Sequence, residues 1–175
     1  MTIRDILTNI RERLQKAGIE DFEYESWVLP EWKLHIDRAE FYMNPNGEVK
    51  QELLEDLEEV LLKREQRVPL QYLMGECEFM GFDFSVDERV LIPRQDTECL
   101  VELAVEDIRN VKIQNRCEFN NAADQKNEQK VKVLDLCTGS GCIGISVKKL
   151  CQNTKVTLAD ISEGALAIAK KNAEN

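Results

Sequence analysis

Residues 131–144 read VKVLDLCTGSGCIG, and this stretch decides the fold of the chain. Val131, Val133, Leu134 and Leu136 form an apolar strand pattern around the acid Asp135. A tight turn carrying Gly139 and Gly141 follows, and Cys142, Ile143 and Gly144 open a helix. A second β-rich run, Lys155–Ala159, leads into another acid, Asp160, nineteen residues after Gly141. Strand, glycine loop, helix, strand and terminal acid make one βαβ unit. In such a unit a helix N-terminus meets an anionic group and the second acid accepts from sugar hydroxyls. The spacing therefore points to a site for an adenosine-containing cofactor.

Two cofactors compete for the loop. Gly139, Gly141 and Gly144 spell G-x-G-x-x-G, the dinucleotide fingerprint, in a strand–turn–helix setting. The other pattern is acid-x-Gly-x-Gly-x-Gly, typical of S-adenosylmethionine (SAM) methyltransferases, with Cys137 in place of the first glycine. Asp135 separates them. A carboxylate beside a pyrophosphate repels it, whereas the ammonium and sulfonium of SAM favour a nearby negative charge. Thr138, Ser140 and the loop amides offer a neutral turn for the methionine carboxylate. Asp160 suits either cofactor. The loop favours SAM, with an NAD-binding Rossmann protein as the alternative.

The composition bounds the rest. The chain has 175 residues, 43% hydrophobic and 32% charged, and no apolar run long enough to span a membrane. Its first residues, MTIRDILTNIRERL, are amphipathic and charged from Arg4, unlike a signal or transit peptide. The net charge of −10 argues against nucleic acid as a direct partner, because such affinity comes from neutralising phosphates. A basic protein partner suits this surface better. Cysteines stand at 77, 99, 117, 137, 142 and 151, with no C-x-x-C pair and a single, distant His35. Zinc ligation and disulfides are poor readings of that spacing, and reduced thiols in a cytoplasmic protein are expected. Cys137 and Cys142 read as small residues tolerated near glycines rather than as reactive thiols.

Upstream of the loop the chain changes texture once. Ile3, Ile6, Leu7, Ile10, Leu14 and Ala17 keep helical spacing, with Thr2 and Asp5 set for a capping box and Gly18 as the stop. Residues 21–43 predict two short helices with Trp27, Val28 and Trp32 buried, Pro30 breaking or kinking the first and Asp37 capping the second. After the turn Pro45-Asn46-Gly47, a long helix buries Val49, Leu53, Leu54, Leu57, Val60 and Leu61. PLQYLMG at 69–75 predicts a short helical turn, and ECEFMGFDFSV at 76–86 a β-hairpin or bent ribbon around Gly81. From Val90 the chain is extended, breaks at Pro93 and becomes helical near Asp96, with Leu100, Val101, Ala104, Val105 and Ile108 as the buried stripe. Residues 110–130 lack a period and read as a mobile surface insertion.

PLQYLMGECEFMGFDF, VLIPRQDTECLVE, VLDLCTGSGCIGISV and VTLADISEGALAIAKKNA, in that order, resemble the bacterial release-factor glutamine methyltransferases, the PrmC/HemK family. The similarity covers nearly the whole chain, and the hairpin followed by I-P-R-x-D-T-E is more specific than the glycine loop. The resemblance implies an α/β protein: an N-terminal helical bundle and a β-hairpin joined to an incomplete Rossmann-like SAM-dependent methyltransferase domain. It assigns residues 1–74 to a helical substrate-docking domain, 75–92 to a hairpin connector and 93–175 to the first part of the methyltransferase domain. It implies SAM as cofactor and methylation of the glutamine amide in the Gly-Gly-Gln motif of peptide-chain release factors. By matching position, the loop Cys137, Thr138, Gly139, Ser140 and Gly141 cradles the methionine part of SAM and Asp160 holds the ribose, with Asp135 a further cofactor-binding residue. Arg94, Thr97 and Glu98 belong to the segment approaching the cofactor or substrate from the other side, without individual roles.

Three departures from the family pattern stand out. Gln95 replaces a usual proline, and Cys137 replaces a usual glycine, which weakens cofactor binding if that backbone needs positive φ. The Asn-Pro-Pro-Tyr tetrapeptide that grips the target amide is nowhere among the 175 residues, and Asn44-Pro45-Asn46-Gly47 is an echo in the wrong region. The resemblance places it beyond Asn175, so the chain carries no catalytic residue and is expected to be inactive alone, as part of a longer, monomeric parent. On that reading one edge of the 131–136 strand lacks an own-chain partner, and the chain self-associates or packs loosely from residue 93. A non-catalytic protein-binding module is a further alternative. A DNA adenine methyltransferase shares the tetrapeptide chemistry, but the acidic charge makes DNA a poor ligand.

Overall fold

The structure, a computed structural model, describes residues 1–118 and 130–175, and for 111–118 the backbone alone. The chain forms two compact units, Met1–Leu73 and Met74–Asn175.

The first unit is helical. Its α1 (Ile3–Lys16) starts at a full capping box in which the Thr2 hydroxyl accepts from Asp5 N–H and the Asp5 carboxylate accepts from Thr2 N–H. The next free donors of that turn, Ile3 and Arg4 N–H, reach the carbonyls of Gly47 and Pro45 at 3.0 Å each. The helix closes on Gly18 in the left-handed region, with Ile19 N–H returning to Leu14 and Gly18 N–H to Gln15. Ile3, Ile6, Leu7, Ile10 and Leu14 are all buried, as their spacing requires.

Two elements differ from the sequence expectation. The helix α2 (Phe22–Leu34) runs through Pro30 rather than stopping there. Its buried residues are Glu25, Ser26, Leu29, Pro30 and Leu34, whereas Trp27, Val28 and Trp32 are only half-buried. The wide indole rings lie at the margin of the packed face, and the narrower residues fit beneath it. α3 (Arg38–Met43) is short and capped by Asp37, whose carboxylate accepts from Glu40 N–H at 2.8 Å. α4 (Gln51–Glu65) buries only Leu57, Val60 and Leu61; Val49, Leu53 and Leu54 toward its start are half-buried. Arg64 on α4 donates two hydrogen bonds to Glu25 on α2, at 2.7 and 2.9 Å, in a pair almost wholly removed from water. Arg13 on α1 binds both Glu58 and Glu65 on α4. α5 (Leu70–Met74) follows.

The second unit begins with an antiparallel hairpin, β1 (Glu76–Phe79) and β2 (Phe82–Ser85), closed by the two residues Met80 and Gly81. Both have positive φ, 55° and 73°, the requirement of the tight turn whose twist matches the strands. A 3-10 turn over Gln95–Thr97 leads into α6 (Glu98–Glu118), later than Asp96 by two residues. Val101, Val105 and Ile108 are buried along α6, but Leu100 is 53% exposed, contrary to its assignment to the stripe. The helix also continues through residues expected to be irregular, and the remainder of that segment, 119–129, lies outside the described residues.

β3 (Val131–Leu136), α7 (Cys142–Leu150), β4 (Thr154–Ala159) and α8 (Glu163–Glu174) complete the βαβα run. β3 and β4 are parallel and in register from Val131 opposite Thr154 to Leu136 opposite Ala159. Val131, Val133 and Leu158 pack on a core built from Phe79, Phe84, Val101, Val105, Ile108, Ile145 and Val147. The opposite face is open: Leu134 and Leu136 are 64% and 70% exposed. Among the described residues β3 pairs with β4 alone, so its other edge has no strand beside it. The helical N-terminal region, the hairpin and this partial parallel sheet are the architecture that the sequence implies.

Candidate cofactor site

The register fixes where the two acids lie. Asp135 pairs with Leu158 one step before the end of β3, and Asp160 follows Ala159, the last residue of β4. Both therefore sit at the carboxyl ends of adjacent parallel strands, the position where open α/β sheets take their ligands.

Asp135 faces inward and is buried. Its Oδ2 accepts from the Thr138 hydroxyl at 2.6 Å and from Gly144 N–H at 2.9 Å. One carboxylate oxygen thus closes the turn and meets a first-turn amide of α7, where negative charge is favourable. Gly144 permits this approach: a Cβ there lies 2.9 Å from Asp135 Oδ2 and collides with Leu158. Gly141 caps α7 at φ 82°, and a Cβ on it comes within 2.7 Å of Ile145 and 3.3 Å of Ala169. Cys137 adopts φ 61°, a left-handed conformation that a side chain makes costly, and its thiol side is exposed.

Asp160 ties the loop from the other strand. Its Oδ2 accepts from Gly139 N–H at 2.9 Å and its Oδ1 from Ser162 N–H at 2.9 Å. The donors Ser162 and Gly139, in that order of weight, hold its pKa below the ordinary aspartate value. Thr138 N–H also donates to Ala159 O at 3.0 Å, and Gly141 N–H to Thr138 O at 2.8 Å. The side chains of Thr138 and Ser140 are buried, 6% and 2% exposed, so the accessible part of the loop is Cys137, the Gly139 backbone and Asp160. Nothing lies within 4 Å of a Cβ built on Gly139, which leaves open space above the turn.

Arg94, Thr97 and Glu98 stand apart. No hydrogen bond or ion pair among the described residues joins them to the loop or to Asp160. Glu98 Oε1 instead accepts from Met80 N–H at 2.7 Å and fastens the hairpin turn to the start of α6. Arg94 is exposed ahead of the 3-10 turn. One polar residue escaped the sequence reading: Asn172, 2% exposed on α8, donates to Ser140 O at 2.8 Å. Its signal was its place on the stripe Ala165, Ile168, Ala169 and Asn172, where a polar side chain on a buried face needs partners.

The glycine loop and the two acids that hold it across adjacent parallel strands lie within residues 121–175, which match the family model of the methyltransferase small domain. Residues 5–75 match that of the PrmC N-terminal domain. Among curated proteins, a release factor glutamine methyltransferase of Clostridium acetobutylicum is 35% identical over 172 residues, 98% of this chain and 54% of the relative. One of Deinococcus radiodurans is 33% identical over 173 residues, 99% of this chain and 56% of the relative. A bifunctional methyltransferase of Rickettsia typhi is 33% identical over 172 residues, 33% of its length. The chain is therefore similar to release factor glutamine methyltransferases over nearly its whole length and carries matches to the PrmC N-terminal domain and the methyltransferase small domain. It spans about half the length of the release factor glutamine methyltransferases it matches. No helix among the described residues is long and apolar enough to cross a membrane.

Proposed function

We propose that this chain supplies the cofactor crevice and the substrate-docking helices of a SAM-dependent protein-glutamine N-methyltransferase, acting in the cytoplasm on peptide-chain release factors. The observation that carries the reading is the pair of acids holding one glycine loop, with open space above Gly139. Asp160 keeps lone pairs beyond its two backbone bonds, enough to accept from ribose hydroxyls. Negative charge at Asp135 and Asp160 suits the sulfonium and ammonium of SAM and opposes a pyrophosphate. The names of the relatives and the order of the two matched domains support the substrate.

When bound, SAM supplies an activated methyl group. The chain's own contribution is positional. The loop fixes the methionine end, and Asp160 orients the ribose. Arg94 and Thr97 remain candidates for ligand contact, and Glu98 holds the hairpin turn from behind. Residues 1–74 form the docking domain, 75–92 the connector, and 93–175 the cofactor part. No Asn-Pro-Pro-Tyr is present to grip the glutamine amide, so these 175 residues alone transfer no methyl group.

The test is a calorimetric titration of the chain with SAM and, separately, with NADH. Heat with SAM and none with NADH is expected; the reverse overturns the reading. Labelled SAM and a release factor should give no methylated glutamine with this chain, and turnover places the amide-gripping contact within residues 1–175.

A further inference from the structure

We propose that Asn172 is a positioning residue of the cofactor crevice, locking the Ser140 peptide to the outer edge of the hairpin. The inference rests on the SAM reading above and adds a residue to it. Phe79 and Phe82 form the pair that closes the hairpin turn, and antiparallel pairs alternate between bonded and non-bonded. Cys77 with Phe84 is therefore a bonded pair, and Glu76 with Ser85 is not. The next bonded position follows in order, Val86 N–H donating to Gly75 O at 3.0 Å. Both backbone groups of Ser85 thus turn away from β1.

Asn172 meets both of them. Its Oδ1 accepts from Ser85 N–H at 2.7 Å and its Nδ2 donates to Ser85 O at 3.0 Å, as a neighbouring strand would. The second Nδ2 proton goes to Ser140 O at 2.8 Å. One buried amide therefore joins β2, α8 and the last peptide of the Thr138–Gly141 turn. Three residues earlier on the same helix face, Ala169 lies against the position of a Gly141 Cβ. α8 thereby sets the height of the loop at Gly141 and its tilt at Ser140. A shift of the hairpin edge is transmitted to the loop through a single side chain.

Asn172→Asp keeps the shape and the acceptor but removes both donations and sets a carboxylate against two carbonyls. Asn172→Ala removes all three bonds without adding charge. Both variants and the unaltered chain are titrated with SAM, and their amide exchange is followed at Gly139, Gly141 and Gly144 against Val133 and Thr157, whose amides face each other's strand in the β3–β4 ladder. Affinity is expected to fall on the order of tenfold in either variant. The loop amides should exchange faster while Val133 and Thr157 keep their protection. Relative to the unaltered chain, Asn172→Asp should regain affinity from about pH 8 to about pH 5.5, as the raised carboxyl protonates and donates again. Taking the ratio removes the pH dependence common to both proteins. Asn172→Ala should show no such recovery. Absence of SAM binding in the unaltered chain overturns the cofactor reading, and the Asn172 proposal is then decided by exchange alone. Unchanged loop exchange overturns it. So does loss of protection at Val133 and Thr157 in both variants, since Asn172 is then a general stability residue.

Discussion

Asp160 Oδ2 accepts the backbone N–H of Gly139 at 2.9 Å, so the acid at the end of one strand latches the loop that leaves the next. Asp160 and the turn are therefore one mechanical unit.

Asp160→Ala should weaken SAM binding on the order of tenfold and speed exchange at the Gly139 amide, because ribose and loop lose the same acceptor. The pH dependence has a definite sign. A carboxylate with a lowered folded pKa contributes fully above its unfolded value, and the contribution is lost as pH falls through the lowered one. The latch should hold from neutral pH through the ordinary carboxylate range and open only below it. Loosening of Gly139 already near pH 6 would contradict this.

Cys137 holds a φ of 61° with a side chain attached. Cys137→Gly should raise the stability of the second unit by about 1 kcal/mol by removing the left-handed penalty, and tighten SAM binding modestly. Cys137→Ala keeps the penalty and should change neither. Equal denaturation midpoints for the glycine and alanine variants would argue that the backbone there is not strained.

The Glu25–Arg64 pair predicts an effect confined to the first unit. Removing either partner leaves an uncompensated charge in a nearly dry site, so Arg64→Ala should cost about 3–5 kcal/mol of that unit's stability. Replacing both by apolar residues of similar volume should be close to neutral. Urea unfolding of the single and double variants checks this, and additive losses would contradict it.

The bare side of the β3–β4 sheet predicts association. Leu134 and Leu136 are both more than half exposed, and one edge of β3 has no strand neighbour among the described residues. Unpaired edges and large apolar patches favour pairing with other chains. Sedimentation should show concentration-dependent self-association that Leu134→Lys and Leu136→Glu reduce. A monomer at all accessible concentrations, with β3 amides as protected as those of α4, would rule the idea out.

What the sequence determined by itself is what depends on local pattern. Thr2 and Asp5 capped α1 because capping needs only four consecutive residues, and Met80-Gly81 closed the hairpin because its turn demands two positive φ values. Asp135, the loop and Asp160 were legible because a βαβ unit fixes their order and spacing. Burial on a face was less so: Trp27 and Trp32 looked internal by character, but α2 turned its smaller residues inward, and Pro30 sat inside the helix it was expected to end. Partnerships across distant segments were not legible at all. Nothing in the neighbourhood of Asn172 names Ser85 or Ser140, and nothing near Glu98 names Met80. Which donor meets which acceptor across 87 positions is set by how helices pack on strands, and only the tertiary structure decides it.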